Sequence, residues 1–271
     1  MPDEPKQSFD AAAYWDKRYA TVDVTKSGHI DLPAAYNVWL YRRKQAQLGR
    51  ALAACGVSLR GARLLEVAAG SGAWMDFWAS QGVADYLGID LSQNAIDELV
   101  KRFPSQRFLQ RDLNDAGLSA AVGENFDCIA AIDVLYHVLD DARFADVLRE
   151  LARSLKPGGL LAVHDIFTHR VPIDHGRYIR WRTLAQYEEA LRSAGLEIVY
   201  LRPTFLFMVQ NSDYTGGAGR ALDFLWRHLT YPTVAHLPGI AGAIGSVVDS
   251  LACRFLDDGP SMEFMICKKA G

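Results

Sequence analysis

Arg63-Leu-Leu-Glu-Val-Ala-Ala-Gly-Ser-Gly-Ala-Trp-Met75 is the stretch that decides the reading of this chain. An apolar run of strand character ends on Glu66 and Val67. The chain then turns through Gly70 and Gly72, and Trp74, Phe77 and Trp78 follow at helical spacing. Strand, glycine turn and helix together bring bare backbone N–H groups up to a nucleotide-like ligand. Glycine permits that approach because it has no side chain, and it tolerates positive φ. The same three elements occur in ordinary strand-to-helix connections, so the flanking sequence has to choose between the two.

Downstream, strand-like and helix-like segments alternate. Ala62–Ala68 is predicted as the first strand and Asp85–Asp90 as the second. Ser92 is the N-cap candidate of a helix running to Arg102. Strands are expected at 106–110, 126–132 and 160–164, and a helix at 143–155 with Phe144, Val147, Leu148, Leu151 and Leu155 on one face. Lys156-Pro-Gly-Gly159 should stop that helix, since proline cannot continue it and glycine suits the turn. A helix over 183–194, a strand-rich stretch over 196–209 and a last strand over 262–268 complete the alternation. Such alternation argues a parallel, doubly wound sheet.

Upstream, residues 1–10 read as disordered, 11–20 as a short helix with Tyr14, Trp15 and Tyr19, and 34–55 as a long amphipathic helix. Residues 211–258 interrupt the pattern with glycines at 216, 217, 219, 239, 242 and 245. Two helices are expected there, over 219–230 and 241–256. The resulting division is 1–58 as an N-terminal helical cap, 59–210 as the core, 211–258 as an insertion and 259–271 as the returning strand.

Composition narrows the partners. The chain has 271 residues, half of them apolar, and a formal net charge of −3, so no global basic field attracts nucleic acid or an anionic surface. Cys55, Cys128, Cys253 and Cys267 have no metal-ligand spacing and read as reduced thiols of a cytoplasmic protein. The N-terminus carries no apolar signal region, and no run of about 18 apolar residues suggests a membrane span. His169, His175, His228 and His236 show no ligand spacing either, so no metal is expected.

Two carboxylates give the glycine turn its meaning. Asp90, at the end of the second strand, can accept both hydroxyls of a ribose. Asp112, after the third, can accept from an exocyclic adenine amine while Leu113 packs on the ring. Either one also fits an ordinary strand-end or turn aspartate.

The ordered set Glu66-Val-Ala-Ala-Gly70-Ser-Gly72, Asp90, Asp112, Phe126–Asp133 and Leu155-Lys-Pro-Gly-Gly159 resembles the class I S-adenosylmethionine-dependent methyltransferases of the small-molecule type. The resemblance covers roughly residues 60–210 and the terminal strand. It implies a Rossmann-like, seven-stranded sheet whose last strand is antiparallel, and S-adenosylmethionine as cofactor. By that resemblance Glu66 anchors the glycine loop, and Gly70 and Gly72 approach the methionine moiety. Asp90 serves the ribose, Asp112 and Leu113 the adenine, Leu91 is a further cofactor contact, and Asp133 sits beside the cofactor. Ala68 stands where the family usually has its first glycine, which predicts a slightly more distant backbone. Tyr14-Trp-Asp-Lys-Arg-Tyr19 is similar to aromatic openings that cover the cofactor in many small-molecule members. Tyr14 and Trp15 therefore either face the sulfonium, which aromatic faces suit, or dock into the core. Arg42 or Arg43 is a candidate partner for the methionine carboxylate.

Methyl transfer needs alignment and exclusion of water more than covalent help. An oxygen nucleophile also benefits from a base, and His137, just after the fourth strand, is the candidate. His164 and Asp165 end the fifth strand on the same edge, and each of the three also fits a structural role. A nicotinamide dehydrogenase would want glycine where Met75 stands. A domain that binds S-adenosylmethionine without turnover stays open, as does N-methylation. The expected acceptor is a small molecule, not nucleic acid, and the insertion is expected to cap its pocket or to form a homodimer surface.

Overall fold

The computed structural model describes residues 10–20, 28–175 and 178–271. The expectation of disorder over 1–10 falls outside these residues, apart from Asp10, whose carboxylate caps the first helix by accepting from the Ala13 N–H.

In chain order the elements are α1 (Ala11–Arg18), α2 (Ala34–Ala54), β1 (Arg63–Val67), α3 (Met75–Ser80), β2 (Asp85–Asp90) and α4 (Gln93–Arg102). Next come β3 (Arg107–Gln110), α5 (Leu118–Val122), β4 (Phe126–Ile132), α6 (Asp141–Ser154) and β5 (Leu155–Thr168). The C-terminal part adds β6 (Ile173–His175), β7 (Ile179–Thr183), α7 (Leu184–Ser193), β8 (Leu196–Pro203), α8 (Gly216–Leu225), α9 (Tyr231–His236), α10 (Pro238–Ala252) and β9 (Met262–Lys269).

Seven strands form the main sheet in the order β3-β2-β1-β4-β5-β9-β8. β1 pairs parallel with β2 and β4, β2 with β3, and β4 with β5. β9 runs antiparallel between β5 and β8. The expected doubly wound sheet with an antiparallel last strand is therefore the architecture found.

Alternation along each strand fills two cores. On one face Leu65, Val67, Ile129, Ala131, Leu161 and Val163 pack against Val147, Leu148 and Leu151 of α6 and Tyr187 and Leu191 of α7. On the other, Leu64, Cys128, Ala130, Ile132 and Phe264 meet Leu48, Ala51 and Leu52 of α2 and Trp78 of α3. A smaller cluster of Tyr36, Leu40, Phe205, Met208 and Val234 fastens the insertion to α2.

Several boundaries differ from the expectation for local reasons. α6 ends at Ser154, and Leu155 is already extended (ψ 146°) and begins β5. Lys156 precedes proline and is pushed out of the helical region, so strand takes over with no intervening turn. The strand-rich stretch over 196–209 is strand only to Pro203. Within the insertion, α8 starts at Gly216 and passes through a π-helical turn (Trp226–Thr230) into α9, and α10 starts at Pro238. Proline near the start of α9 and α10 fits the first helical turn, where its missing N–H costs nothing. The antiparallel pair β6–β7 is an addition to the predicted elements.

Candidate active site

The chain leaves β1 toward β2 and β3 on one side, and β4 leads to β5 on the other. Ligands in such sheets bind at the carboxyl ends of the strands where that direction reverses. A cavity opens at that point, the place where small-molecule sites occur in such sheets. Its walls include Ala68, Ala69, Asp90, Leu91, Asp112, Leu113, Asp133 and His137, with Ala11, Trp15, Tyr19, Tyr41 and Trp74.

The glycine turn works differently from the expectation. Neither Gly70 nor Gly72 lines the cavity; Ala68, Ala69 and Ala73 do. Gly72 has φ +74°, and a Cβ there would lie 2.8 Å from Leu99 Cδ2 and 3.0 Å from Phe103 Cε2. Its glycine is required by the turn and by packing on α4. Gly70 donates its N–H to Asp90 Oδ2 at 2.8 Å. The anchor of the loop is thus Asp90 and not Glu66. Glu66 faces the opposite side of β1 from Leu65 and Val67, and its Oε2 accepts from Trp78 Nε1 and Tyr86 OH, both at 2.7 Å. Burial lifts its carboxyl to about 7, against the two donors that lower it.

Ala68 takes the left-handed conformation that a glycine there would adopt, φ +59°. The backbone path is kept, and the departure from the family pattern shows as local strain. An alanine in that region costs roughly 1–2 kcal/mol, and glycine loses roughly 0.4–1 kcal/mol by loosening the unfolded chain. Ala68→Gly is expected to stabilise the protein by roughly 0.5–1 kcal/mol, the difference of these terms. A rise in the urea midpoint at constant slope checks this, and a fall would show that the Ala68 methyl packs for more than its backbone costs.

Asp90 is buried, and its second oxygen accepts from the Ser92 N–H at 2.9 Å. Burial pushes its carboxyl up to about 6, with the Ser92 and Gly70 donors opposing the shift. Asp112 forms a local turn by accepting from the Asn114 N–H at 2.7 Å.

Helical phase separates Tyr14 from Trp15. Ala11, Trp15 and Tyr19 share one face of α1 and its end and line the cavity, whereas Tyr14 does not. Tyr14 instead stacks on Tyr178, with ring centroids 5.3 Å apart. Asp16, which the sequence reading passed over, fastens α1 to the start of α4 by accepting from Ser92 Oγ at 2.6 Å.

Asp133 sits at the end of β4 with φ +57° and bonds to Lys44 Nζ and His164 Nδ1. Burial disfavours its charge, but Lys44 and His164 outweigh burial and hold the carboxyl far below the usual range. Sequence reasoning missed Lys44, which lines no part of the cavity itself and reaches it only through Asp133. The suggested arginines do not line the cavity: Arg42 lies exposed over the Trp39 ring, and Arg43 is buried against α10, where it donates to the Asp249 carbonyl.

His137 lines the cavity, and its Nδ1 lies 2.7 Å from the Tyr178 carbonyl oxygen. A carbonyl only accepts, so Nδ1 carries the proton and Nε2 keeps its lone pair. Trp15 meets the ring edge-on at 5.4 Å. Burial lowers the imidazole pKa, and the Tyr178 carbonyl and Asp133 oppose it only in part. His164 and Asp165, the other candidates, are fully buried and line no part of the cavity. His164 packs between Phe264 and Phe205, and Asp165 accepts from Tyr187 OH. Nor does any residue of 211–258 line this cavity, because the insertion packs on the outer side of α2.

A family model described as a methyltransferase domain matches residues 38–201. The chain belongs to the class I S-adenosylmethionine-dependent methyltransferase family. Among curated proteins, it is 34% identical over 109 residues to "Methyltransferase GfsG" of Streptomyces halstedii, covering 39% of this chain and 38% of that protein. It is 33% identical over 146 residues to a "Ubiquinone biosynthesis O-methyltransferase" of Brucella anthropi, covering 51% of this chain and 57% of that protein. The matches thus span less than two thirds of either relative. Among solved structures, the N-methyltransferase NodS of Bradyrhizobium japonicum, in complex with S-adenosyl-L-homocysteine, superposes with a TM-score of 0.56 at 15% identity. That match covers 96% of this chain and 98% of the other, and it establishes the shared fold. No described helix is long and apolar enough to cross a membrane.

Proposed function

We propose that this methyltransferase domain methylates a small-molecule acceptor, and that the accepting atom is an oxygen. One observation carries the reading: Asp90, Asp112 and His137 line a single cavity at the carboxyl edge of the sheet.

The walls suit S-adenosylmethionine. Asp90 offers a buried carboxylate with lone pairs beyond those used by Gly70 and Ser92, as a ribose diol requires. Asp112 and Leu113 offer an acceptor beside an apolar surface, as adenine requires. Trp15, Tyr19, Tyr41 and Trp74 supply aromatic faces for a sulfonium. When bound, this cofactor supplies an electrophilic methyl group. The protein's own part is alignment, exclusion of water and handling of one proton. α1, with Tyr41 of α2, acts as the cover of the cavity, and the parallel strands with the returning β9 as its frame. His137 Nε2 takes the acceptor's hydroxyl proton as the new bond to carbon forms, while Nδ1 stays bonded to the Tyr178 carbonyl. A neutral amine already carries its lone pair and has less need of such a base, so this histidine favours oxygen. The Brucella anthropi relative, an O-methyltransferase by name, agrees with that preference. The four cysteines, none of them paired, fit a cytoplasmic enzyme.

The test is release of S-adenosylhomocysteine from S-adenosylmethionine across matched panels of phenols, enols, hydroxy acids and amines. Turnover confined to hydroxyl compounds supports the proposal, and turnover confined to amines replaces oxygen by nitrogen. Tight binding of S-adenosylhomocysteine with no turnover on any panel would favour a domain that only holds the cofactor.

A further inference from the structure

α10 is built the opposite way round from a surface helix of a water-facing protein. Its inner side carries the small residues: a Cβ on Gly242 would meet Trp39 at 2.5 Å, and one on Gly245 would meet Met208 at 2.9 Å. Asp249 also points inward, fully buried, and accepts from the N–H groups of Phe207 and Met208. The large aliphatics point out. Ile240, Ile244, Val247 and Leu251 fall at intervals of four, three and four residues, one continuous stripe, and Ile244 and Val247 are each 61% exposed. Phe224 on α8 and Phe255 beyond α10 are also exposed, at 62% and 86%. Asp249, the one carboxylate within α10, is buried and so leaves the stripe uninterrupted.

The exposed Arg, Lys, Asp and Glu side chains within the α8–α10 segment have one sign. Between 216 and 256 the exposed ionised side chains are Arg220, Arg227 and Arg254. The two carboxylates of that segment are Asp249, buried, and Asp223, half-buried beside Asn211. The next two are engaged elsewhere, Asp257 with Arg202 and Asp258 with Tyr214 OH. Arg220 and Arg227 flank the exposed Phe224 at helical spacing and Arg254 follows Leu251 by three residues, which makes this segment a local exception on a chain of net charge −3.

We propose that α8–α10 is a monotopic attachment surface for an anionic lipid bilayer, with the Ile240–Leu251 stripe entering the headgroup boundary. An amphipathic helix with large apolar residues on one side and basic residues about it binds such an interface by area and by charge together. No described helix is long enough to span, which leaves lying on the surface as the mode. Two-fold self-association fits less well, because a face meeting its own copy sets the same cations against each other, whereas lipid phosphates neutralise them.

The test is flotation of the full-length protein with vesicles of phosphatidylglycerol and phosphatidylcholine, against vesicles of phosphatidylcholine alone. Wild type should float with the anionic vesicles. Ile244→Glu combined with Val247→Glu should weaken that binding at least about tenfold, as should Arg220→Glu, Arg227→Glu and Arg254→Glu together, since each basic residue near an anionic surface contributes severalfold. All these positions are exposed, so circular dichroism and affinity for S-adenosylhomocysteine should stay as in wild type. Wild type left unbound by anionic vesicles overturns the proposal, as does binding that neither set of substitutions weakens. A lipid-free dimer in sedimentation velocity that Ile244→Glu with Val247→Glu makes monomeric also overturns it, and gives the face to a second copy.

Discussion

His137→Ala lowers kcat by a factor on the order of 10²–10⁴, the usual range for a lost general base, and leaves the affinity for S-adenosylhomocysteine nearly unchanged. The expectation rests on three features. His137 lines the cavity, its Nδ1 is committed to the Tyr178 carbonyl at 2.7 Å, and Nε2 is therefore the basic nitrogen. Burial holds its pKa below the ordinary value, so the ring is neutral through the physiological range. The sign of the pH dependence follows. Protonation removes the base, so kcat falls as pH drops, and the acidic limb lies below about pH 6.5, the unperturbed imidazole value. In the alanine variant that limb disappears, because no group remains to be protonated. A fall in kcat of less than about tenfold, far short of general-base help, would make His137 a structural support for the Tyr178 segment. Catalysis would then rest on alignment alone, since His164 and Asp165 line no part of the cavity.

The sheet was legible because it depends on periodicities that the sequence carries directly. β4 was read with both boundaries as found, since its apolar run ends at Asp133, and Ser92 was read as a cap from its position before a helical period. The β6–β7 pair had a weaker signal: Ile179, Arg180, Trp181 and Arg182 alternate, but the run is short and polar on one side. Likeness to an aromatic motif makes Tyr14 and Trp15 equal candidates for the cavity, but a helix turns neighbouring residues about 100° apart and only Trp15 shares a face with Ala11 and Tyr19. Lys44 had no signal at all. A lone lysine on an amphipathic helix reads as solvated, and its meeting with Asp133, 89 residues away, is a product of how α2 lies across the sheet. Glu66 stands where the resemblance puts an anchor of the glycine loop, whereas strand alternation sends its carboxylate to Trp78 and Tyr86. Motif reading thus located the ends of strands well. It assigned roles poorly wherever two adjacent residues point to opposite sides.

Asp90→Ala weakens binding of S-adenosylhomocysteine by roughly 10- to 100-fold, the loss expected when hydroxyl donors lose a charged acceptor worth about 1.5–3 kcal/mol. Part of the loss is indirect. Asp90 holds the Gly70 and Ser92 N–H groups, and alanine leaves both donors without that acceptor in a buried site. The variant should therefore also unfold at lower denaturant, by about 1–3 kcal/mol. The pH dependence separates the two contributions. Burial raises the Asp90 carboxyl to about 6, so in the free protein it is mostly neutral at pH 5 and mostly ionised at pH 7. A ribose diol donates to the ionised form, so wild-type affinity should fall about tenfold from pH 7 to pH 5, the change in ionised fraction. Folding responds with the opposite sign. A carboxyl raised in the folded state binds its proton more tightly there than in the unfolded chain. Its contribution to stability is therefore full below about pH 4, the unfolded value, and is lost as pH rises through about 6. Calorimetric titration at pH 5, 6 and 7 on both proteins distinguishes the cases. A tenfold slope in wild type that vanishes in Asp90→Ala identifies the carboxylate as the ribose acceptor. Equal slopes with a constant offset would mean that Asp90 only shapes the glycine turn, and that the ribose is held by another cavity group.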